Sequence, residues 1–200
     1  FATGWAAYET AHDIKQQMIN RDASIWDVSA EDVELSEGVY QHKPDPELKL
    51  TFKELAGQLA GSGGGISSQT TVDPSGAGGA FSTHVVDLEV DPDTGKVTIL
   101  DYTVIQDAGK AVHPSYVEGQ MQGAVVQGIG WALNEEYFYN TDGLMENSSF
   151  LDYRMPTSLD LPMIDTAIVD VAHIAHPCCV RGCGGAHTTS PPAAHANAIH

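Results

Sequence analysis

The chain has 200 residues, of which 42% are hydrophobic and 18% are charged, and its formal net charge at pH 7 is −18. This composition is typical of a globular protein with a substantial core and excludes an intrinsically disordered chain. The acidity argues against nucleic acid as a partner, because phosphate binding requires clustered Lys and Arg. The sequence contains no apolar run that predicts a membrane span and no signal peptide, so we expect a cytoplasmic protein.

The first 78 residues predict a helix, a short hairpin and a Gly/Ser-rich loop. Residues 5–20 have the apolar spacing of an amphipathic helix. Its buried face would consist of Ala6, Ala7, Ala11, Ile14 and Met18. A turn at 29–32 precedes two short apolar runs, 33–35 and 39–40, which predict a hairpin closed through Gly38.

A second helix and a long loop complete this N-terminal part. Thr51 and Glu54 have the spacing of a capping box, and the helix that it starts would continue to Leu59. Residues 61–80 are rich in Gly, Ser and Thr and predict a loop. Because this loop lacks the Gly-Lys-Ser/Thr ending of a P-loop, it is not expected to bind a nucleotide phosphate in that way.

The second part of the chain begins with the clearest strand signal. Apolar and polar residues alternate over 84–90, a turn follows at 91–95, and residues 96–105 predict the returning strand of a hairpin. Pro114 is suited to the first turn of a helix, which would run to about Glu136.

Shorter elements follow this helix. Residues 137–139 with Asp142-Gly143 predict a strand and a turn. Residues 166–171 predict another apolar strand, and residues 191–200 resemble the start of a helix. Strands and helices in this irregular order predict an α+β fold with mixed helix and sheet layers.

The segment 117–130 is the most informative part of the sequence. It interleaves Gly119, Gly123, Gly128 and Gly130 with apolar residues and glutamines at helical spacing. Each glycine costs a helix interior about 0.5–1 kcal/mol relative to alanine, so four of them require a reason. A bare backbone permits close approach, and the approaching group is either a neighbouring element of the fold or a flat ligand.

Four further motifs accompany this glycine-rich helix in a fixed order. They are the long strand at 79–91, the Asp107-x-Gly109 turn that leads to Pro114, the run Asp152-Tyr153-Arg154-Met155-Pro156-Thr157, and the loop 180–184. Together the five motifs resemble the molybdopterin-binding domain of the xanthine dehydrogenase and aldehyde oxidase family, the molybdenum hydroxylases. The resemblance implies that residues 79–200 form the molybdopterin-binding core. Residues 1–78 would belong to the same structural unit, which would be incomplete at both ends.

The resemblance also implies which residues contact the cofactor. Gly119 and Gln120 would lie near the start of the glycine-rich helix, with the Gln120 amide against the pterin or a molybdenum oxygen. The last loop would lie beside the cofactor, because successive backbone N–H groups in a glycine-rich loop can cradle an anion or a metal-bound oxygen. It consists of Arg181, Gly182, Cys183, Gly184 and Gly185. No residue of the chain is expected to ligate the metal.

The chain departs from the family at one position of this loop. The family places a glutamate that acts as the active-site base where this sequence has Gly185, and glycine cannot accept a proton. Asp107, Glu118, Glu135 and Glu136 are the carboxylates nearest the proposed site in sequence, but their spacing does not assign the role to any of them. The catalytic residue is therefore unassigned, and we expect the isolated chain to be inactive.

The function implied by the resemblance is one part of a molybdenum-dependent oxidoreductase that hydroxylates an aldehyde or an N-heterocycle. Its cofactor would be molybdopterin with molybdenum, and electrons would pass to [2Fe–2S] and FAD groups on partner domains or subunits. The expected partners are the N-terminal half of the molybdopterin domain, the iron–sulfur and flavin subunits, and a small-molecule substrate.

Two alternatives stay open on the sequence alone. A family member that lacks the glutamate would serve as a catalytically silent scaffold subunit. A dense group of thiols and imidazoles near the C-terminus would instead form a zinc-binding module, because zinc takes four Cys or His ligands, although the usual C-x2-C pairing is missing. The residues of this group are His173, His176, Cys178, Cys179, Cys183 and His187.

Overall fold

The computed structural model describes residues 2–74 and 79–200 of the chain. The described residues fold into two compact units, an N-terminal unit Ala2–Pro74 and a C-terminal unit that comprises residues 79–200. The predicted boundary after residue 78 lies close to this division, and the expectation that both parts form one structural unit stays a prediction. Four residues of the predicted Gly/Ser-rich loop, 75–78, lie outside the described residues.

The N-terminal unit combines two helices with a small antiparallel sheet. Its elements are helix α1 Ala2–Trp26, a 3₁₀ turn Ala30–Asp32, strands β1 Val33–Ser36, β2 Val39–His42 and β3 Lys49–Thr51, and helix α2 Phe52–Gln58. The strands lie in the order β1-β2-β3, with both pairs antiparallel. The predicted hairpin is confirmed, and Gly38 in its turn has a positive φ of 78°. Strand β3, which has only three residues, was not predicted.

The predicted capping box at the start of α2 is confirmed. The hydroxyl oxygen of Thr51 accepts a hydrogen bond from the Glu54 backbone N–H at 3.2 Å, and the Glu54 carboxylate accepts from the Thr51 N–H at 2.8 Å. This cap fixes the start of a short helix that contributes Leu55, which is fully buried, to the core of the unit.

The predicted buried face of α1 is wrong in its first half. Ala7 and Ala11 are exposed, and the buried residues of the helix all lie further along the chain. They are Met18, Ile19, Asp22 and Ala23. Because alanine removes little apolar area from water, its periodic spacing was a weak indication of which helix face is covered.

The C-terminal unit consists of a three-stranded sheet covered by helices. Its elements are strands β4 Phe81–Val90 and β5 Val97–Asp107, helix α3 Pro114–Leu133, strand β6 Ile164–Val169, and helices α4 Gly185–Thr188 and α5 Ser190–Ile199. The strand order is β4-β5-β6, with β4 and β5 antiparallel and β5 and β6 parallel. The predicted α+β class with mixed layers, the β4–β5 hairpin and the long helix are confirmed.

Helix α3 packs one apolar stripe against the sheet. Met121, Val125 and Ile129 recur every four residues and are almost fully buried together with Tyr102 and Val104 of β5. Residues four apart share one face of a helix, and residues two apart share one face of a strand, so both spacings lead to the same core. The other faces of α3 are therefore available for α5 and for the functional site.

Two sequence predictions in this unit need correction. Residues 137–139 do not form a strand, since the pairing is a single bridge between Tyr139 and Met145, although Gly143 forms the predicted turn with a φ of 78°. Helix α3 ends at Leu133 rather than Glu136, because Asn134 is the C-cap, with a φ of −127° and its backbone N–H bound to the Gly130 carbonyl oxygen. None of the described helices is both long and apolar enough to span a membrane.

Candidate functional site

The four glycines of α3 lie in two different surroundings. A Cβ atom placed on Gly119 or Gly123 would meet no atom within 4 Å. On Gly128 the same atom would lie 2.6 Å from the ring of Pro191, and the surroundings of Gly130 are comparably tight. The second pair of glycines thus permits close packing within the fold, whereas the first pair leaves the surface of the helix open.

The open part of α3 faces the last loop of the chain across a cavity of about 430 Å³. The cavity is lined by Gln120, Gly123, Ala124, Gln127, Cys183, Gly184, Gly185 and Thr188. The four helix residues are spaced three and four apart and so share one face. The amide nitrogen Nε2 of Gln120 lies 3.7 Å from the position that a Cβ on Gly184 would take.

A second cavity of about 210 Å³ shares Gln120 and Cys183 with the first. Its lining also includes Ala108, Lys110, Val112, His113, Tyr116, Val117, Val180 and Arg181. The rings of His113 and Tyr116 stack at a centroid distance of 4.0 Å and an angle of 12°. None of the residues that line either cavity in the described chain is an Asp or a Glu.

The side chain of Arg181 is held by the edge of the sheet. Its Nε lies 3.0 Å from a carboxylate oxygen of Asp107, and its Nη1 donates to the carbonyl oxygen of Gly79 at 2.8 Å. The other Asp107 oxygen accepts from the Gly109 N–H at 2.9 Å. Gly109 has a φ of 60°, and a Cβ there would lie 2.8 Å from the backbone nitrogen of Arg181. The Asp107-x-Gly109 motif therefore anchors the start of the last loop.

The next residue of the loop is held from inside the core. Gln106 of β5 is fully buried, and its Nε2 donates to the Gly182 carbonyl oxygen at 2.7 Å. The Oε1 atom of Gln106 accepts a hydrogen bond from Nε2 of His187, which is also fully buried. A single glutamine thus connects the beginning of the loop to the short helix α4 that follows it.

Histidines and a tyrosine continue this buried polar network. The imidazole Nδ1 of His84 and the hydroxyl of Tyr102 lie 2.9 Å apart, and the rings of His84 and His187 are 5.6 Å apart. Burial, with a smaller effect from His187, lowers the pKa of His84 to about 4. Burial likewise lowers the pKa of His187 and of His195. All three imidazoles are therefore neutral at pH 7.

The thiol of Cys183 is also affected by its surroundings. Burial raises the pKa of this thiol, so the protonated form prevails at neutral pH. Its sulfur lies 3.9 Å from the carbonyl oxygen of Val117. The loop therefore presents an uncharged sulfur towards α3.

The sequence matches the molybdopterin cofactor-binding domain family over residues 1–162. The chain belongs to this family. The match ends before the last loop, so the family assignment rests on the two antiparallel sheet regions, α3 and the residues up to 162. The α3 side of the cavity lies within the matched residues, and the loop side lies beyond them.

Relatives of this molybdopterin-binding chain are subunits of oxidoreductases. The nicotine 6-hydroxylase large subunit of Paenarthrobacter nicotinovorans is 29% identical over 205 residues, which cover 98% of the chain and 25% of that protein. The putative xanthine dehydrogenase molybdenum-binding subunit of Escherichia coli K12 is 34% identical over 164 residues, covering 79% of the chain and 22% of the relative. The chain thus spans about a quarter of the length of these relatives.

Solved structures of the same kind share the fold. Carbon monoxide dehydrogenase from Oligotropha carboxidovorans superposes with a TM-score of 0.85 at 25% identity, covering 98% of the chain and 25% of that protein. Quinoline 2-oxidoreductase from Pseudomonas putida 86 gives a TM-score of 0.81 at 26% identity, covering 94% of the chain and 25% of the neighbour. The N-terminal and C-terminal units both fall within these matches.

The structure brings most of the predicted cofactor contacts together, but not all. Gln120, Cys183, Gly184 and Gly185 line one cavity. Gly119 lies on the exposed side of α3, outside the lining of both cavities. The remaining two, Arg181 and Gly182, begin the loop: Arg181 lines the smaller cavity while its guanidinium pairs with the sheet edge, and Gly182 is bound through its carbonyl oxygen.

The four carboxylates considered as substitute bases are not part of the cavity lining. Asp107 pairs with Arg181, and Glu135 accepts a hydrogen bond from the Tyr153 hydroxyl at 2.6 Å. Glu118 and Glu136 are exposed on the surface. Within the described residues, none of these four carboxylates therefore lines either cavity.

The cysteine and histidine group does not form a zinc site. Among residues 2–74 and 79–200, no three His, Cys, Asp or Glu residues are arranged to hold a metal ion, which contradicts the zinc-binding alternative. The Nδ1 of His176 accepts from the Cys178 N–H at 3.1 Å, and His187 is bound to Gln106. The three cysteines are free and partly buried, so they act as small apolar residues.

Sequence reasoning missed Gln106 and considered His187 only as a zinc ligand. A weak signal existed, because Gln106 follows Tyr102 and Val104 at the buried alternate positions of a strand, where an amide is costly unless it is hydrogen-bonded. Its partners Gly182 and His187 lie 76 and 81 residues away in sequence, so no local pattern identifies them.

Proposed function

We propose that the chain is part of the large subunit of a molybdenum-dependent hydroxylase and binds molybdopterin in the cavity between α3 and the last loop. The observation that carries the proposal is the open face of α3, where Gln120 and Gly123 lie opposite Cys183, Gly184 and Gly185 around about 430 Å³. Membership of a molybdopterin cofactor-binding family supports this use of the cavity.

The residues of the cavity fit the chemistry of the cofactor. The amides of Gln120 and Gln127 and the hydroxyl of Thr188 offer both donors and acceptors to the polar edge of a pterin ring. The bare backbone at Gly123 has no neighbour within 4 Å of a Cβ position, so a flat group can approach it. The absence of a lining carboxylate among the described residues suits an anionic, phosphate-bearing group.

The cofactor, when bound, supplies the redox chemistry, and the chain holds it in place and excludes water. We infer hydroxylation of an aldehyde or an N-heterocycle as the reaction class. Two relatives are named for the N-heterocycles nicotine and quinoline, and a third is named for carbon monoxide, so the relatives alone do not fix the substrate. The flat His113–Tyr116 pair beside the smaller cavity favours an aromatic ring over an aliphatic aldehyde.

We further propose that the assembled enzyme passes electrons to [2Fe–2S] and FAD groups on partner domains or subunits in the cytoplasm. The N-terminal half of the molybdopterin domain would complete the cofactor site. The support is the relatives' description as subunits of larger enzymes, of which this chain spans about a quarter.

A second candidate is a catalytically silent scaffold subunit. Gly185 stands where the family's glutamate would be, and no described carboxylate lines the cavities. Loss of general-base assistance typically lowers a rate by about 10²–10⁴-fold. Such a subunit would still co-purify with iron–sulfur or flavin partners but would hold little molybdenum.

Molybdenum analysis of the purified protein, with everything that co-purifies, tests both candidates. We expect about one molybdenum per chain, and Gln120→Ala should lower this occupancy. Gln122→Ala is the matched control, because Gln122 lies on the same helix but donates to the Ile164 carbonyl oxygen at 3.0 Å, away from the cavity. Equal occupancy in the two variants would contradict the assignment of Gln120, and protein without molybdenum would favour the scaffold.

A further inference from the structure

The last loop of the chain is fastened at both ends by one buried side chain. Gln106 donates from Nε2 to the carbonyl oxygen of Gly182 at 2.7 Å, at the beginning of the loop. Through Oε1 the same amide accepts from Nε2 of His187, in the short helix that ends the loop. Between these two attachment points lie Cys183, Gly184 and Gly185, which line the larger cavity.

A glutamine is well suited to this position. Its side chain carries two N–H donors and a carbonyl acceptor on one planar group, so it can bind a carbonyl oxygen and an imidazole N–H at the same time. Gln106 is fully buried, and an amide in an apolar core is unfavourable unless both ends are hydrogen-bonded. The strand therefore retains an amide here because two partners satisfy it.

The donor and the acceptor are fixed in both hydrogen bonds of the Gln106 side chain. Since Oε1 of Gln106 can only accept, Nε2 of His187 carries the proton, and its Nδ1 is an acceptor without a partner among the described atoms. Burial disfavours the charged imidazolium, which lowers the pKa of His187 and keeps it in this neutral form at pH 7. The connection from Gly182 to His187 thus does not change across the neutral range.

Within the loop, Cys183 Sγ lies 3.9 Å from the Val117 carbonyl oxygen, and the His187 backbone N–H donates to the Gly184 carbonyl oxygen at 3.1 Å. Gly184 adopts a φ of 116°, which residues other than glycine rarely adopt. A Cβ atom on Gly185 would have no atom within 4 Å. Three glycines in four residues give the backbone many accessible conformations. The hydrogen bonds of Gln106 add a restraint at each end of Cys183–Gly185, which lie opposite Gln120.

We propose that Gln106 and His187 are positioning residues, which hold the Gly182–Gly185 backbone in the conformation that contacts the cofactor. The inference rests on the proposed function of the cavity. Neither side chain lines the cavity, so their effect would be transmitted through the loop backbone. Nothing in the last loop's own sequence indicates this dependence on a strand residue.

The experiment compares His187→Leu with His195→Leu in the purified enzyme. His195 is the matched control, because it is 1% exposed in the same unit. Its replacement removes one side-chain hydrogen bond, from Nδ1 to the Pro191 carbonyl oxygen at 2.8 Å, and this bond does not involve the loop. Gln106→Glu is the second test variant. This substitution keeps the side-chain volume and the oxygen that accepts from His187. It replaces the Nε2 donor by a second oxygen, which faces the Gly182 carbonyl oxygen.

Hydrogen exchange of the loop peptide, measured by mass spectrometry on cofactor-depleted protein, is the primary measurement. We expect exchange over 182–186 to be about tenfold faster in His187→Leu and Gln106→Glu than in the original protein, because each loses a buried hydrogen bond. His195→Leu should leave the loop unchanged. Molybdenum retained after dialysis should fall in the two test variants only, whereas a purely structural effect would lower it equally in all three.

Loop exchange in His187→Leu no faster than in His195→Leu would overturn the proposal. It would also be overturned if the loop exchanged faster while molybdenum was retained as in the control. If the unaltered protein contains no molybdenum, the proposed function fails, and the exchange comparison still decides whether Gln106 and His187 hold the loop. The two failures are therefore distinguishable.

Discussion

The two halves of helix α3 use glycine for different purposes. In the second half, Gly128 packs against Pro191 so closely that a Cβ would lie 2.6 Å from the proline ring. In the first half, Gly119 and Gly123 have no atom within 4 Å of a Cβ position. One sequence pattern thus combines a packing surface with an open surface, and only the open surface faces the cavity around Gln120.

Glycine content alone does not identify a ligand site. Glycine in a helix interior is unfavourable wherever it stands, so its presence indicates close approach without naming the approaching group. At Gly128 that group is Pro191 of α5. At Gly130 it is formed by Glu135 and Pro156. In the first half the described chain supplies no such group, which is why we propose the cofactor there.

The largest expected effect comes from placing a carboxylate in the last loop, opposite the open half of α3. In the holoenzyme, Gly185→Glu should raise turnover by about 10²-fold or more, because general-base assistance is typically worth about 10²–10⁴-fold. Space is available, since a Cβ on Gly185 would meet no atom within 4 Å. Steady-state kinetics measures the effect, and Gly185→Gln is the control for volume without basicity. Unchanged turnover in both variants would count against the loop assignment.

The packed half of α3 gives the next largest effect. Gly128→Ala should lower the free energy of unfolding by about 1–3 kcal/mol, because the new methyl group overpacks a tight contact with rigid atoms. Besides Pro191, the backbone oxygen of Thr188 lies only 2.6 Å from the Cβ position. Denaturant titration followed by circular dichroism measures the change. A neutral or stabilising result would show that α5 moves freely relative to α3.

A buried carboxylate in the N-terminal unit lacks the hydrogen bonds that the buried Gln106 amide has. Asp22 of α1 is fully buried with neither oxygen hydrogen-bonded, whereas both ends of the Gln106 amide are bound. Burial raises the pKa of Asp22 from 3.8 to about 6. Because the folded state holds the proton more tightly, the stabilising contribution is complete below about pH 4 and is lost as the pH rises through 6.

Asp22→Asn should therefore raise the free energy of unfolding above pH 6 by about 1–3 kcal/mol, with the gain disappearing near pH 4. Chemical denaturation at pH 4 and pH 7.5 measures both values. Asp13→Asn is the control, since Asp13 is an exposed carboxylate on the same helix, and hydrogen bonds from Ser68 and Gln17 lower its pKa. A gain for Asp22→Asn that is equal at both pH values would refute the titration argument.

Sequence patterns predicted the helices and turns that depend on neighbouring residues in the chain. The apolar stripe Met121, Val125, Ile129 follows directly from helical spacing, and the capping box of Thr51 and Glu54 involves neighbours along the chain. Turn residues at 91–95 fixed the β4–β5 hairpin in the same way. The alanine-based face of α1 failed because small side chains carry too little apolar area to determine which side is covered.

The resemblance predicted four of the eight residues that line the larger cavity, but not the contacts that hold them in place. Resemblance placed Gln120 and the last loop together, and the structure brings them around one cavity. It did not indicate that Arg181 pairs with Asp107 or that Gly182 is held by Gln106, because these contacts join residues more than 70 positions apart. Long-range polar pairing depends on the register of strands and loops, which sequence spacing alone does not specify.

The smallest expected effect is a change in the free energy of unfolding in the open half of α3, where stability and cofactor binding should respond in opposite directions. Gly123→Ala should raise the free energy of unfolding by about 0.5–1 kcal/mol, since alanine favours the helix and the Cβ meets no neighbour. The same methyl group projects into the proposed cofactor cavity, so molybdenum retained after dialysis should fall. Gly119→Ala is the matched control, because it gains the same helix propensity outside the cavity lining and should keep its molybdenum. Stabilisation in both variants with equal metal retention would mean that the open face of α3 binds no cofactor.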